Sequence, residues 1–231
     1  MGSGMSRRGV LMGAGAVALS AAVPVRVAAA GLVPEAAAAP PGALSANGWR
    51  MERTVGGGGP VEGTGITVAL RAGDVETVLV HVVRRFHYEI AELGEGQVVG
   101  HLAPGRVPLA RAGLPQPPES NHTSGTAVAI RPDWYPKGGR GGFFPLEMLT
   151  LRDVLAECEG VVRWGGDDRE RPYEALFSLD VPPGDARLAR VAARIRGGDA
   201  VRPGAGPVDV PAPGRRAAAL RLERRQRAAS G

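Results

Sequence analysis

The sequence contains one cysteine, one lysine and few aromatic residues, and these shortages limit the disulfides and the kind of core that the chain can form. The single cysteine, Cys158, excludes an internal disulfide, and its place in a helical pattern predicts a small buried side chain. Aromatic residues make up only 4% of the chain, so the core must be built from aliphatic side chains. The only lysine, Lys137, stands against many arginines, which we interpret as a compositional bias.

The first thirty residues have the pattern of an export signal. Residues 6–11 resemble a twin-arginine signal, and an apolar run from Val10 to Val25 leads to a small-residue cleavage site near Ala30. This run is shorter than the about 20 apolar residues of a membrane-spanning helix, which favours a cleaved signal over an uncleaved anchor. We therefore predict a signal peptide over residues 1–30 and an Ala/Pro linker over 31–43. We also predict export by the twin-arginine pathway to the cell wall or the extracellular space, with no membrane span after cleavage.

Positive charge is concentrated at the two ends of the chain. Residues 197–231 carry a net charge of +4 and residues 1–40 carry +2, which leaves −1 for residues 41–196 of a chain whose total is +5. The high isoelectric point therefore describes the ends, and nucleic acid is not a predicted partner of the domain. Because residues 197–231 contain almost no large apolar residues, they are predicted to be a disordered basic tail.

Residues 44–196 are long enough for one compact domain with a core of its own. Val78, Val82, Phe86 and Ile90 recur every four residues and predict the buried stripe of a helix over residues 75–93. A further predicted helix spans residues 145–159, with Pro145 at its start and Gly160 after its end, and Asp185 begins a last predicted helix over residues 185–196. Strands are predicted over residues 66–70, 126–130, 161–164 and 175–179, with a flexible loop over 56–59. The fold class is α+β, with a small antiparallel sheet flanked by helices.

The most informative motif lies between residues 120 and 129. Ser120, His122, Gly125 and Ala127 follow the pattern Ser-x-His-x-x-Gly-x-Ala-x-Asp. This pattern resembles the first zinc-ligand segment of the zinc D-alanyl-D-alanine carboxypeptidases, in the Hedgehog/DD-peptidase superfamily. The resemblance implies that fold for the domain, and it places Ala129 at the position of the second metal ligand, an aspartate in the family.

A second segment extends the resemblance. Residues 164–167 match the Trp-Gly-Gly-Asp turn of the family, whose third metal ligand is a histidine that follows this turn. Leu176 stands at that position, and Tyr173 stands at the position of the catalytic acid. Residues 83–90, 141–144, 160–166 and 180–184 are also similar to an exported actinobacterial branch of the family.

The chemistry of such a peptidase needs more donor atoms than these positions supply. Zinc catalysis uses three protein ligands, an open position for water and a carboxylate that moves the proton. His122 is retained, whereas Ala129, Leu176 and Tyr173 replace the other three groups, so no cofactor is expected. Glu174, next to Tyr173, is the nearest carboxylate, and zinc would be the cofactor if neighbouring residues rebuilt the site.

The resemblance also implies a substrate cleft, because related enzymes use an arginine to bind the substrate carboxylate. The candidate cleft residues are Arg84, Arg85, Ser120, Trp164 and Asp167.

Three functions follow from these patterns. The favoured one is an exported, non-catalytic carboxypeptidase-like protein that binds a cell-wall peptide. The second is an active zinc metallopeptidase that cleaves peptidoglycan stem peptides with substitute ligands. The third is an envelope interaction protein that uses its basic tail on anionic polymer or lipid headgroups. No oligomeric state is predicted.

Overall fold

The computed structural model describes residues 42–111, 114–201 and 209–229, so the predicted signal peptide and most of the predicted linker lie outside the described residues. The described residues form an α+β fold, which confirms the predicted class. The helices are α1 (Asp74–Glu89), α2 (Pro145–Glu157), α3 (Ala186–Val201) and α4 (Pro213–Ala229). The strands are β1 (Gly57–Pro60), β2 (Thr67–Leu70), β3 (Val98–Val99), β4 (Ala127–Ile130), β5 (Val162–Trp164) and β6 (Leu176–Leu179).

The larger sheet is antiparallel and has the strand order β3-β4-β6-β5. Every residue of β4 and β6 is buried, because helices and loops cover both faces of these two inner strands. The runs of apolar and β-branched residues predicted strands here, and β5 pairs with β6 in the structure. The register of β4 and β6 pairs Ala129 with Leu176, which brings the two halves of the family motif side by side.

Helix α1 packs its predicted stripe into the core and ends earlier than predicted. Val78, Val82 and Phe86 are at most 1% exposed, whereas Ile90 already lies beyond the last helical residue. The backbone N–H of Leu93 donates to Nδ1 of His87 at 2.9 Å. This contact turns the chain back towards the helix, so Leu93 is buried by a loop and not by a further helical turn.

The predicted flexible loop at residues 56–59 is wrong, because Gly57–Pro60 forms β1 and pairs with β2. The glycines let this strand lie directly against α1. A Cβ atom at Gly59 would stand 2.5 Å from Cγ2 of Val80, and one at Gly57 would collide with the carboxylate of Glu76. The run of glycines therefore allows close packing of β1 against α1 and does not indicate flexibility.

The prediction of a disordered tail over residues 197–231 is wrong for residues 197–201, where α3 continues past its predicted end at residue 196, and for residues 213–229, which form α4. Ala219, Leu222 and Gln226 are buried, and they recur every three or four residues on one helix face. α4 packs against α2, and Arg215 and Arg227 donate to the buried carboxylates of other elements. In the described part of the chain, no helix is both long and apolar enough to cross a membrane.

Candidate functional site

Three of the four positions that the motif aligns with metal ligands and the catalytic acid line one small cavity of about 90 Å³. His122 ends the 3₁₀ turn Pro118–His122, Ala129 lies in β4, and Tyr173 precedes β6. Leu176, the fourth position, is 2% exposed and faces Ala129 across the strand pair. The fold therefore gathers the positions that the sequence motif singles out.

His122 is held in one orientation and one tautomer. Its Nδ1 lies 2.7 Å from the carbonyl oxygen of Gly100, and a carbonyl only accepts, so Nδ1 carries the proton and Nε2 keeps a lone pair. Burial lowers the pKa of His122 to about 4; the Gly100 hydrogen bond opposes this shift, and the charge of Lys137 adds to it. The ring is therefore neutral near pH 7. A histidine that binds metal commonly donates its other N–H in this way.

The remaining positions do not supply the donors that zinc needs. Ala129 and Leu176 have no donor atoms in their side chains. Burial, together with the negative charges of Glu119 and Asp133, raises the pKa of the Tyr173 hydroxyl, which therefore stays protonated. Across residues 42–111, 114–201 and 209–229, no group of three or more His, Cys, Asp or Glu side chains could hold a metal ion. These residues do not fit a catalytic zinc site.

The cavity also contains an ion pair that the sequence did not predict. Nζ of Lys137 lies 3.0 Å from Oε1 of Glu119 and 5.4 Å from the centre of the Tyr173 ring, and Arg106 lines the same cavity. Burial alone would raise the pKa of Glu119, but its own backbone N–H and Lys137 outweigh burial and lower it. No sequence motif includes Lys137, and the fact that it is the only lysine does not indicate where its side chain lies in the fold.

Glu174 is not a substitute acid, since its carboxylate is occupied by the backbone of a loop. Oε1 and Oε2 accept the N–H groups of Gly141 and Gly142, each at 2.8 Å. The main-chain oxygen of Glu174 accepts the indole N–H of Trp164 at 2.7 Å. Glu174 is 5% exposed and does not line the His122 cavity. Its carboxylate therefore holds the loop of Gly141 and Gly142 in place.

The two candidate cleft arginines lie away from the His122 cavity. Arg85 is buried and pairs with Glu89, Glu157 and Asp153, the last at 3.1 Å from Nη2 to Oδ2. Arg84 lines a different cavity of about 240 Å³, where its Nη1 lies 3.6 Å from Glu62. Carboxylates near α1 and on α2 bind these arginines, which explains why neither reaches the cavity.

Ser120, Trp164 and Asp167 are core residues and not cleft residues. Oγ of Ser120 accepts the backbone N–H of Ala46 at 2.9 Å, which fixes the start of the domain. Trp164 packs edge-on against Phe143, with 5.8 Å between the ring centroids. The carboxylate of Asp167 accepts two hydrogen bonds from Arg152, at 2.6 and 2.7 Å. All three predicted cleft residues therefore support the fold from inside.

Comparisons of the chain with protein-family models, with curated proteins and with solved structures found no match. The resemblance to the zinc carboxypeptidases therefore remains a prediction from the motif residues. His122, Ala129 and Tyr173 share a cavity, and Leu176 adjoins it.

Proposed function

We propose that the chain is an exported, non-catalytic relative of the zinc D-alanyl-D-alanine carboxypeptidases that binds a cell-wall peptide in the His122 cavity. The observation that carries this proposal is the pairing of Ala129 with Leu176 beside His122. Side chains that cannot bind metal occupy the positions of two ligands, while the histidine keeps an orientation suited to one.

We expect the cavity to bind a peptide but not to hydrolyse it. Without a metal-bound water, cleavage would need a strong base beside the scissile carbonyl. Tyr173 stays protonated because its pKa is raised, and His122 accepts no second proton until the pH falls to about 4. Both side chains are therefore weak bases for activating water at neutral pH, and the carboxylate of Glu119 is already paired with Lys137.

The same groups suit a peptide end. Nε2 of the neutral His122 ring can accept a peptide N–H, because its partner nitrogen is already bound to Gly100. Lys137 is about half exposed, so a carboxylate can reach its ammonium group beside Glu119. Arg106 adds a second positive charge to the cavity lining. Convergent polar groups of this kind are a feature of ligand sites, but the cavity of about 90 Å³ is smaller than the about 300–1,000 Å³ of a pocket for a drug-sized ligand, so it would take only the end of a peptide.

The proposal is tested by measuring zinc content, D-alanine release and binding of a stem-peptide analogue that ends in D-Ala-D-Ala. We expect no stoichiometric zinc, no release, and binding that Lys137→Met weakens about tenfold or more through the loss of a charged contact. Arg111→Met removes an exposed charge outside the cavity and is the matched control. Stoichiometric zinc with chelator-sensitive release would overturn the non-catalytic assignment, and absence of binding would overturn the ligand assignment.

A repair experiment tests the geometry of the site. Ala129→Asp combined with Leu176→His restores side-chain donors beside His122, and we expect this variant to bind zinc. Adding Tyr173→Asp supplies the missing base, and we expect slow release of D-alanine. Each variant is compared with wild type for fold by circular dichroism. A folded triple variant that binds no zinc would show that residues 122, 129 and 176 do not converge on one metal position.

A further inference from the structure

The outward face of α4 carries a row of arginines. The helix contains six arginines and one acid, Glu223. Arg215 and Arg227 point to buried carboxylates, with Asp153 and Asp167 as their partners. The other four are exposed, and no carboxylate among the described residues pairs with them. These are Arg216, Arg221, Arg224 and Arg225.

The four arginines share one side of the helix. At about 100° per residue, Arg216, Arg221, Arg224 and Arg225 fall within about half of the circumference, opposite the buried residues. With a rise of about 1.5 Å per residue, they are spread over about 14 Å along the axis. Leu220, which is 44% exposed, lies between Arg216 and Arg224 on this face.

The opposite side of α4 packs against the rest of the domain. Ala219 and Leu222 are 2% and 5% exposed, and the Gln226 amide donates to the carbonyl oxygen of Val162 at 2.8 Å. Nη2 of Arg215 lies 2.6 Å from Asp153 Oδ2, which fixes the first turn. The helix is therefore a docked element that presents a fixed positive face, and its apolar side is not available for insertion into a bilayer.

We propose that this outward face of α4 binds an anionic lipid surface. Arginine binds phosphate groups through paired N–H donors, and a row of basic residues on a helix face attracts anionic headgroups. An exposed leucine among these charges suits the boundary between headgroups and acyl chains. A nucleic-acid strand is less suited to this surface, because residues 209–229 contain no aromatic side chain on which bases could stack.

The test compares flotation of the full chain with vesicles of phosphatidylglycerol and phosphatidylcholine and with vesicles of phosphatidylcholine alone. The apolar residues 10–25 are present in every variant, so the difference between the two vesicle types isolates charge-dependent binding. We expect binding to the anionic vesicles that weakens with added salt. Replacing the four arginines by glutamine weakens it about fivefold per charge, and by at least about 100-fold together.

A matched control removes the same charge from other exposed positions, by changing Arg50, Arg53, Arg111 and Arg169 to glutamine. We expect this control to bind within about threefold of wild type, because a distributed charge contributes little at one surface. Equal binding of wild type to both vesicle types, or equal loss in the two fourfold variants, would overturn the proposal.

Leu220→Ala separates a lipid surface from a soluble polyanion. We expect it to weaken vesicle binding by about threefold and to leave binding of soluble polyphosphate unchanged, since only the bilayer buries the leucine. Binding of polyphosphate through the four arginines without binding of vesicles would assign the face to a polymer and overturn the lipid proposal.

Discussion

Breaking one side of the buried Arg152–Asp167 pair is expected to destabilise the domain more than replacing both partners. Two hydrogen bonds of 2.6 and 2.7 Å join the guanidinium to the carboxylate, and the side chains are 5% and 1% exposed. Asp167→Ala would leave the buried positive charge without its main partner. Such losses typically cost about 3–5 kcal/mol, and Glu223, at 3.4 Å from Arg152, remains to reduce the loss to about 3 kcal/mol.

Replacing both partners removes the buried charge together with its counter-ion. Arg152→Met combined with Asp167→Leu is therefore expected to stay within about 1 kcal/mol of wild type. Arg227 loses a partner in both variants, but its side chain is 55% exposed, so this contribution is small. Arg190→Ala is the control, because Arg190 is 60% exposed in its pair with Glu159 and its loss costs under about 1 kcal/mol.

Urea unfolding followed by tryptophan fluorescence and circular dichroism measures these differences. The guanidinium of Arg152 lies 4.9 Å from the ring of Trp164, one of three tryptophans, so part of the fluorescence change comes from this region. A loss below about 1 kcal/mol for Asp167→Ala would refute the reasoning. A double variant as unstable as the single one would refute it as well, since the loss would then come from packing and not from an unpaired charge.

Three further predictions concern stability. Because burial lowers the pKa of His122 to about 4, the unfolded chain binds a proton that the folded chain does not between pH 6.5 and 4. Stability should therefore fall by up to about 3 kcal/mol as the pH falls through this window, and urea unfolding of His122→Gln should show a flatter pH profile. Gly142→Ala should cost about 1–3 kcal/mol in thermal and urea unfolding, because its Cβ would lie 2.7 Å from Tyr135 and 2.9 Å from Glu174. Gly197→Ala has open space and lies in a helix, so it should stabilise by about 0.5–1 kcal/mol.

Local patterns in the sequence were enough to predict the elements that form the core. The stripe that includes Val78 and Phe86 and the apolar run of β4 are properties of neighbouring residues, so they can be identified without tertiary information. β1 was missed because its glycines carry no strand signal of their own. Their role depends on the closeness of α1, which only the folded chain determines.

The motif predicted which residues meet at the site, but not which surround them. His122, Ala129 and Tyr173 line one cavity, whereas Arg85 and Asp167 are taken up by carboxylate and arginine partners on other elements. Glu89 lies four residues from Arg85 on the same helix, but Asp153 lies 68 residues from Arg85, and Arg152 lies 15 residues from Asp167 on another element. The sequence alone does not show that these charges meet. The role of Lys137 was not predicted for the same reason, because its partner Glu119 lies in the 3₁₀ turn Pro118–His122, on another element.

The docking of α4 has a consequence for the order in which the molecule is completed. Asp153 and Asp167 are synthesised 62 and 60 residues before Arg215 and Arg227, which neutralise them from the last helix. A nascent chain that has not reached these arginines holds Asp153 with Arg85 alone and Asp167 with Arg152 alone, so each carboxylate has only part of its positive charge. Packing around α2 is therefore completed only when α4 has been synthesised, because buried Leu222 then covers the apolar surface that a chain without α4 would leave exposed.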